Sequence, residues 1–390
     1  MSLGFWLTDE QEALRRRVHE FASREIAPLA RQIDRTDAMP ARVWQLFAAQ
    51  GYPAMAIAKE WGGSGDGLLE QTLMMEEVTA GGKSPVCIAL LESAALFTQA
   101  VSLAGTEEQK ARWLPNVAAG RSHAAFALTE PGTGSDPANL STRAVRDGDE
   151  YVLNGRKRYA SFTSCSDLVV VFARTRLSSG ADGVSAIVVE TDRPGFRISD
   201  RIPCIGLRGH QDEELGLEDV RVPVHNRLGE EGKGLRIALA TLEKTRTTLC
   251  GGFVGLARAA LDAAVWYAQH RESFGRPLGE YQAHRFPMAQ VQVDIEAARL
   301  LTWRAAKLDD EGRRHTAETA QAKLAATRAM LQATEVAFTV FGGFGGTQEY
   351  PVERYYRDAK IWSYAQGSPE MMNEVVARRL LESPVEEPVC

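Results

Sequence analysis

The chain has 390 residues, 44% of them hydrophobic and 25% charged, with a formal net charge of −6. That length exceeds what one hydrophobic core fills, so two or three domains are expected. The charge balance excludes an electrostatic nucleic-acid binder.

The five cysteines (Cys87, Cys165, Cys204, Cys250 and Cys390) are scattered and form no C-x-x-C pair. This argues against a disulfide framework or zinc ribbon and points to a reducing, cytoplasmic setting. No apolar run reads as long enough to span a bilayer, and no basic-then-apolar leader is visible, so no membrane partner is expected.

In chain order, Thr8-Asp-Glu-Gln11 reads as a capping box. It opens a helix that carries Leu14, Val18, Phe21, Ile26 and Leu29 at helical spacing. Further helices are expected around 41–50, 68–80, 85–103 and 107–119, with a Gly-rich break over 61–67. From about 122 the texture changes. Tyr151–Tyr159, Leu168–Thr175, Val184–Glu190, Phe196–Asp200 and Glu213–Val222 are short, β-branched or alternating, with Gly, Asp and Pro between them. Helical periodicity returns over Gly234–Ser273, Tyr281–Glu311 and His315–Phe341, and again from Pro369. The expected architecture is mostly α with a central β domain. Residues 1–121 form an N-terminal helical domain, 122–231 a β-barrel-like middle domain and 232–390 a helical bundle. The tail from Glu382 to Cys390 is expected to fray.

Several common chemistries are not written in the chain. There is no G-x-G-x-x-G after a strand, no P-loop, no H-E-x-x-H and no G-x-S-x-G, and the seven histidines do not cluster, so no metal site is expected. Five stretches remain. Phe126-Ala-Leu-Thr129-Glu130-Pro131-Gly132-Thr-Gly134-Ser135-Asp136 runs an apolar strand into a sharp polar turn. Such a turn suits a flat polar ligand, but taken alone it reads more readily as an ordinary polar loop. Leu153–Ser161 reads as a strand with a Gly turn, and Ile205–Pro223 as β-domain structure. Arg271–Gln282 joins two long helices with more glycine than a plain connection needs, and its paired arginines suit a pyrophosphate. Phe341–Gly346 clusters glycines at a helix end, followed by Glu349–Ile361.

Together these stretches resemble the acyl-CoA dehydrogenase family in order and spacing from Leu7 to about Leu381, as does Gly105-Thr-Glu-Glu-Gln-Lys through Trp113-Leu-Pro115. The resemblance implies FAD as cofactor, an acyl-CoA or other acyl thioester as substrate and a homotetramer in which a neighbouring subunit completes each site. It also implies electron-transferring flavoprotein as the usual electron acceptor. By the same resemblance Phe126, Leu128 and Thr129 lie along the isoalloxazine, and Ser135 contacts both cofactor and acyl-CoA. Tyr159 and Ser161 replace the usual Trp and Thr while keeping an aromatic face and a hydroxyl. Arg271, Ser273, Phe274 and Gln282 match residues that hold the FAD of an adjacent subunit. Gly342 and Gly343 match its adenine-side phosphates, with Thr339 where a Gln is usual. Ser368 and Glu370 match further flavin contacts, while Glu243, Arg246 and Gly367 fall on the substrate side.

The implied reaction is α,β-dehydrogenation, in which a base takes the α-proton as the β-hydrogen leaves as hydride to flavin N5. At the family's base position this chain carries Gln366, an amide with the right shape and almost no basicity. The alternative base position in the bundle is Thr245. Glu243, two residues away, points roughly 200° around the helix. Impaired dehydrogenation is therefore expected. The alternatives are a flavin-dependent monooxygenase or oxidase of the same fold, and a non-catalytic FAD- or CoA-binding subunit.

Overall fold

The computed structural model describes residues 7–176 and 180–382. The tail beyond Glu382 lies outside them. Among the described residues six α-helices come first: α1 (Asp9–Phe21), α2 (Ala27–Thr36), α3 (Ala41–Ala49), α4 (Leu68–Gly82), α5 (Val86–Ala104) and α6 (Glu107–Ala118). The expected box caps α1, with Thr8 Oγ1 accepting from the Gln11 amide and Gln11 returning a bond to the Thr8 amide. One π-helical turn, Ala22–Ile26, separates α1 from α2.

Among the described residues eight strands follow: β1 (Ala124–Ala127), β2 (Arg143–Asp147), β3 (Glu150–Ser161), β4 (Leu168–Arg174), β5 (Val184–Glu190), β6 (Phe196–Arg201), β7 (Asp212–Pro223) and β8 (Arg227–Leu228). The order is β6-β7-β3-β2-β4-β5-β8, with β1 parallel to β4. β2 and β4 meet only at Arg143 and Arg174, so the sheet folds over at that seam. Tyr151, Leu153, Leu215 and Val220 from one half share a core with Val169, Val171, Ile187 and Val189 from the other. That shared core is what makes the domain barrel-like.

The helical remainder comprises α7 (Gly234–His270), α8 (Gln282–Asp310), α9 (Thr316–Phe341), α10 (Val352–Trp362) and α11 (Pro369–Glu382). A small hairpin, β9 (Glu272–Ser273) with β10 (Arg276–Pro277), joins α7 to α8. Two features depart from expectation. α10 is a regular helix inside a stretch read only as a motif. In addition, α5 and α7 are long and apolar enough to cross a membrane by length and composition, which corrects the expectation that no such run exists. In each, 78% of the most apolar 18-residue window is buried within the protein, as in core helices.

α4 and α7 pack closely because α7 is smooth where they meet. A Cβ added at Gly251 or Gly255 would lie 2.4 Å from the carbonyl oxygen of Thr72 or Glu76. Overpacking of this kind costs about 1–3 kcal/mol. Gly255→Ala is thus expected to lower the thermal midpoint by several degrees, measurable by calorimetry; an unchanged midpoint would show that the two helices can separate freely. The same interface buries Glu76 and Glu77 on α4 against Arg258 of α7, Arg299 of α8 and Arg15 of α1. Burial would raise the Glu77 carboxyl, but His19, Arg258 and Arg15 outweigh it and hold it at about 2. This cluster locks the N-terminal helices to the bundle.

Candidate active site

The site is built where three pieces of chain meet on α5. The first is the turn after α10. Gln366 and Gly367 both have positive φ (54° and 113°), a costly conformation for Gln. Three consecutive carbonyls in this turn receive charged donors. Buried Lys323 of α9 donates to Ala365 O at 2.5 Å and also to Gly367 O, while Arg246 Nε donates to Gln366 O at 2.8 Å. Burial pulls the Lys323 ammonium down to about 8. The turn is therefore held by α7 and α9 in a shape its own sequence would not choose.

The second piece is the end of β3. Tyr159 also has positive φ (59°) and is 52% exposed. Ser161 Oγ donates to Asp212 at 3.0 Å, and the Asp212 carboxylate faces His210 Nδ1 at 3.5 Å. Burial opposes a charged His210, but Asp212 and Glu92 together raise its pKa above the ordinary imidazole value.

The third piece is the turn that follows β1. Phe126 packs its ring on Phe172 with centroids 4.8 Å apart. The Leu128 carbonyl accepts from Lys157 Nζ at 3.1 Å and the Thr129 carbonyl from the Arg158 amide at 2.9 Å. Glu130 closes the turn, accepting from the Ser141 amide and hydroxyl, the Thr142 amide and Lys157 Nζ. Ser135 is exposed beyond it.

Two adjacent residues of α5 tie the first two of these pieces together. Ser93 Oγ donates to the Ser161 carbonyl at 2.9 Å, and the carboxylate of Glu92 accepts from Gln366 Nε2. Gln366 Oε1 in turn accepts from Thr245 Oγ1 at 2.9 Å. Burial pushes Glu92 up to about 7, against the lowering effects of His210, the Gln366 amide and Lys323. Neither Glu92 nor Ser93 was singled out from the sequence. The available signal was Glu92 as the one charged residue of a largely apolar helix.

The remaining predicted residues divide. Arg246 and Gly367 lie at the site, the Arg246 guanidinium 3.7 Å from where a Gly367 Cβ would be. Ser368 Oγ accepts from the Met371 amide, and Glu370 sits in the first turn of α11, where hydrogen bonds from its own backbone and Ser368 lower its pKa. Glu243 points away, its carboxylate accepting from Thr316 Oγ1 at 2.6 Å. Arg271, Phe274 and Gln282 are exposed at the far end of α7 with Ser273 half-buried beside them, and Phe274 is 97% exposed. Arg271 lies 26 residues beyond Thr245 along the chain, roughly 39 Å of helix. Thr339, Gly342 and Gly343 are exposed at the end of α9. Among the described residues no group of three or more His, Cys, Asp or Glu could hold a metal ion. A groove of about 760 Å³ lined by Leu69, Leu300, Trp303 and Arg304 includes none of the site residues.

Three family models match the chain in succession: the acyl-CoA dehydrogenase N-terminal domain over 8–121, the middle domain over 125–220 and the C-terminal domain over 232–381. The chain belongs to the acyl-CoA dehydrogenase family. Acryloyl-CoA reductase (NADH) of Anaerotignum propionicum is 38% identical over 382 residues, covering 97% of this chain and 96% of that protein. Butyryl-CoA dehydrogenase from Megasphaera elsdenii superposes with a TM-score of 0.93 at 34% identity, covering 98% of this chain and all of that one. A glutaryl-CoA dehydrogenase from Mycobacterium smegmatis, solved in complex with FADH2, gives a TM-score of 0.92 at 27% identity, with 99% and 98% covered. The family's fold, an N-terminal helical domain, a middle β domain and a C-terminal helical domain, is the fold described above.

Proposed function

We propose that this acyl-CoA dehydrogenase family member is an FAD-dependent oxidoreductase that removes hydrogens from Cα and Cβ of an acyl thioester. We propose further that it does so slowly, because an amide occupies the base position. The observation that carries the reading is the convergence on α5 of Ser161, from the flavin-side strand, and Gln366, from the base-side turn.

The residues fit a flavin dinucleotide. Tyr159 is half-exposed, Ser161 lies two residues along the same strand, and the Thr129 carbonyl is held by the amide of neighbouring Arg158. Thr133 Oγ1 is buried in the turn after β1 without a partner. Gly342 and Gly343 leave open space where any side chain would stand. When bound, FAD supplies the hydride acceptor. This chain's residues bind and orient the acyl group, exclude water and handle the α-proton. Arg246 brings positive charge to the turn, and burial by α5, α7 and α9 makes it count at a developing enolate. An adjacent copy in a homotetramer would supply Arg271, Ser273, Phe274 and Gln282, and electron-transferring flavoprotein would collect the electrons.

The test is an anaerobic visible spectrum of the purified flavoprotein titrated with acyl-CoAs of varied length and branching. Slow bleaching of the oxidised flavin bands by one thioester is the expected result. Bands that shift without bleaching would favour binding without chemistry. Bleaching only by an external reductant, with oxygen consumption on re-aeration, would favour a monooxygenase or oxidase.

A further inference from the structure

Gln366 leaves an acyl-thioester site with no proton acceptor at the expected place, yet the amide is not idle. Its Nε2 donates to Glu92 and its Oε1 accepts from Thr245. Glu92 is 7% exposed, on the apolar helix α5, and its other oxygen, Oε2, takes part in no hydrogen bond among the described residues. We propose that Glu92 accepts the α-proton in this chain, with the Gln366 amide as its hydrogen-bond partner before and after transfer. The inference rests on the acyl-thioester reading and adds the residue that moves the proton.

The chemistry balances within the site. The Cα–H bond breaks, the proton goes to a Glu92 carboxylate oxygen, and the electron pair stays on the thioester as an enolate. Glu92 becomes a neutral acid. A carboxylate only accepts hydrogen bonds, whereas a carboxylic acid also donates one. The amide can serve both states by turning over. With Glu92 ionised, Nε2 donates to it and Thr245 donates to Gln366 Oε1. With Glu92 protonated, the acid donates to the amide oxygen and Nε2 donates to Thr245 Oγ1. Thr245 then donates its own hydroxyl hydrogen bond to the Thr241 carbonyl, 3.1 Å away. A glutamate at 366 could not do this beside an ionised Glu92, since both would be acceptors.

The surroundings suit a base that works near neutrality. Lys323 of α9 and His210 face Glu92 and favour its ionised form, with Asp212 behind His210 raising the imidazole pKa. Cys250 and Arg246 of α7 flank Lys323. The buried Cys250 thiol is pushed up to about 12 and stays neutral. Burial keeps Glu92 at about 7 in spite of Lys323 and His210. Because the ionised form is the acceptor, proton removal should rise as pH climbs through that value.

The experiment measures deuterium exchange at Cα of the thioester that gives the strongest spectral response, in D2O with the holoprotein, by mass spectrometry. It compares wild type, Glu92→Gln and the exchange of the two side chains, Glu92→Gln with Gln366→Glu. The infrared carboxyl band of each protein is followed against pH, which reports Glu92 without turnover. Expected are exchange in wild type that rises through about pH 7, and a loss of at least about 10²-fold in Glu92→Gln. Also expected are recovery to wild-type rates or above in the double variant, and loss of one titrating carboxyl band in Glu92→Gln. The double variant keeps the composition, charge and hydrogen-bonded pair, so recovery cannot be put down to altered folding. If Glu92→Gln exchanges as fast as wild type, or the wild-type pH profile is flat, Glu92 is not the acceptor. If wild type is inert and the double variant is active, the thioester reading stands and the role of Glu92 falls. If no variant binds or exchanges any thioester, the thioester reading itself falls.

Discussion

Gln366→Glu is expected to raise the rate of flavin bleaching by an acyl thioester by roughly 10²-fold at alkaline pH, and by much less in mild acid. The gain comes from placing a proton acceptor at the family's base position, where an amide now stands. The pH dependence comes from Glu92. In the variant two carboxyls would stand where the Gln366 amide now donates to Glu92, and like charges that close cannot both ionise easily. The pair would hold one proton between them and titrate in two macroscopic steps, the upper one lifted above the about 7 of Glu92 alone. Anaerobic stopped-flow bleaching across pH and chain length checks this. A variant no faster than wild type at any pH would show that the amide does not limit the reaction.

Lys157→Met is expected to cost about 3–5 kcal/mol of stability, the range for removing one partner of a buried ion pair. Lys157 is fully buried and Glu130 nearly so, with Nζ and Oε1 2.8 Å apart. Burial would raise Glu130, but Lys157, Thr142 and Ser141 outweigh it and hold the carboxyl at about 2. Its folded value lies below its unfolded one, so the stabilisation is present above the ordinary carboxylate range and is lost as pH falls toward about 2. Without the ammonium the carboxylate keeps its backbone donors but loses its counter-charge. The deficit of the variant should therefore shrink in acid, where Glu130 takes a proton. Urea unfolding at two pH values measures it. Because Lys157 also holds the Leu128 carbonyl, flavin retention should fall in parallel. A variant within about 1 kcal/mol of wild type would mean that the turn carries its own charge.

The fold was legible where pattern and punctuation agree. Val184–Glu190 is a strand with the predicted ends because it is β-branched and bounded by Gly and Thr-Asp. The Thr8 cap announced α1 because each partner's side chain reaches the other's backbone. The strand Arg143–Asp147 was not legible, since it faces solvent on most positions and buries little beyond Ala144. α10 was not marked as a helix because its residues were read only as part of a motif; Pro351 occupies its N-cap position. Gln366 and Tyr159 stood out by aligned position, but their positive φ could not be read, because it is imposed by Lys323, Arg246 and neighbouring strands rather than by local propensity. Glu92 was missed for the same reason. Its chemistry depends on what α9 and the turn after α10 place beside it, which one helix cannot state.

The length of α7 bears on how a population of these chains behaves. Thr245 and the exposed Arg271 hairpin lie at distant places along one rigid rod, too far apart for a single bound dinucleotide to join. Under the proposed assembly each chain therefore finishes a neighbour's cofactor site rather than its own. Flavin occupancy then follows mass action between subunits as well as between protein and FAD. Dilution alone would loosen the cofactor with no residue altered. Two chains damaged at opposite ends of this helix could, when mixed, assemble sites in which every part is intact.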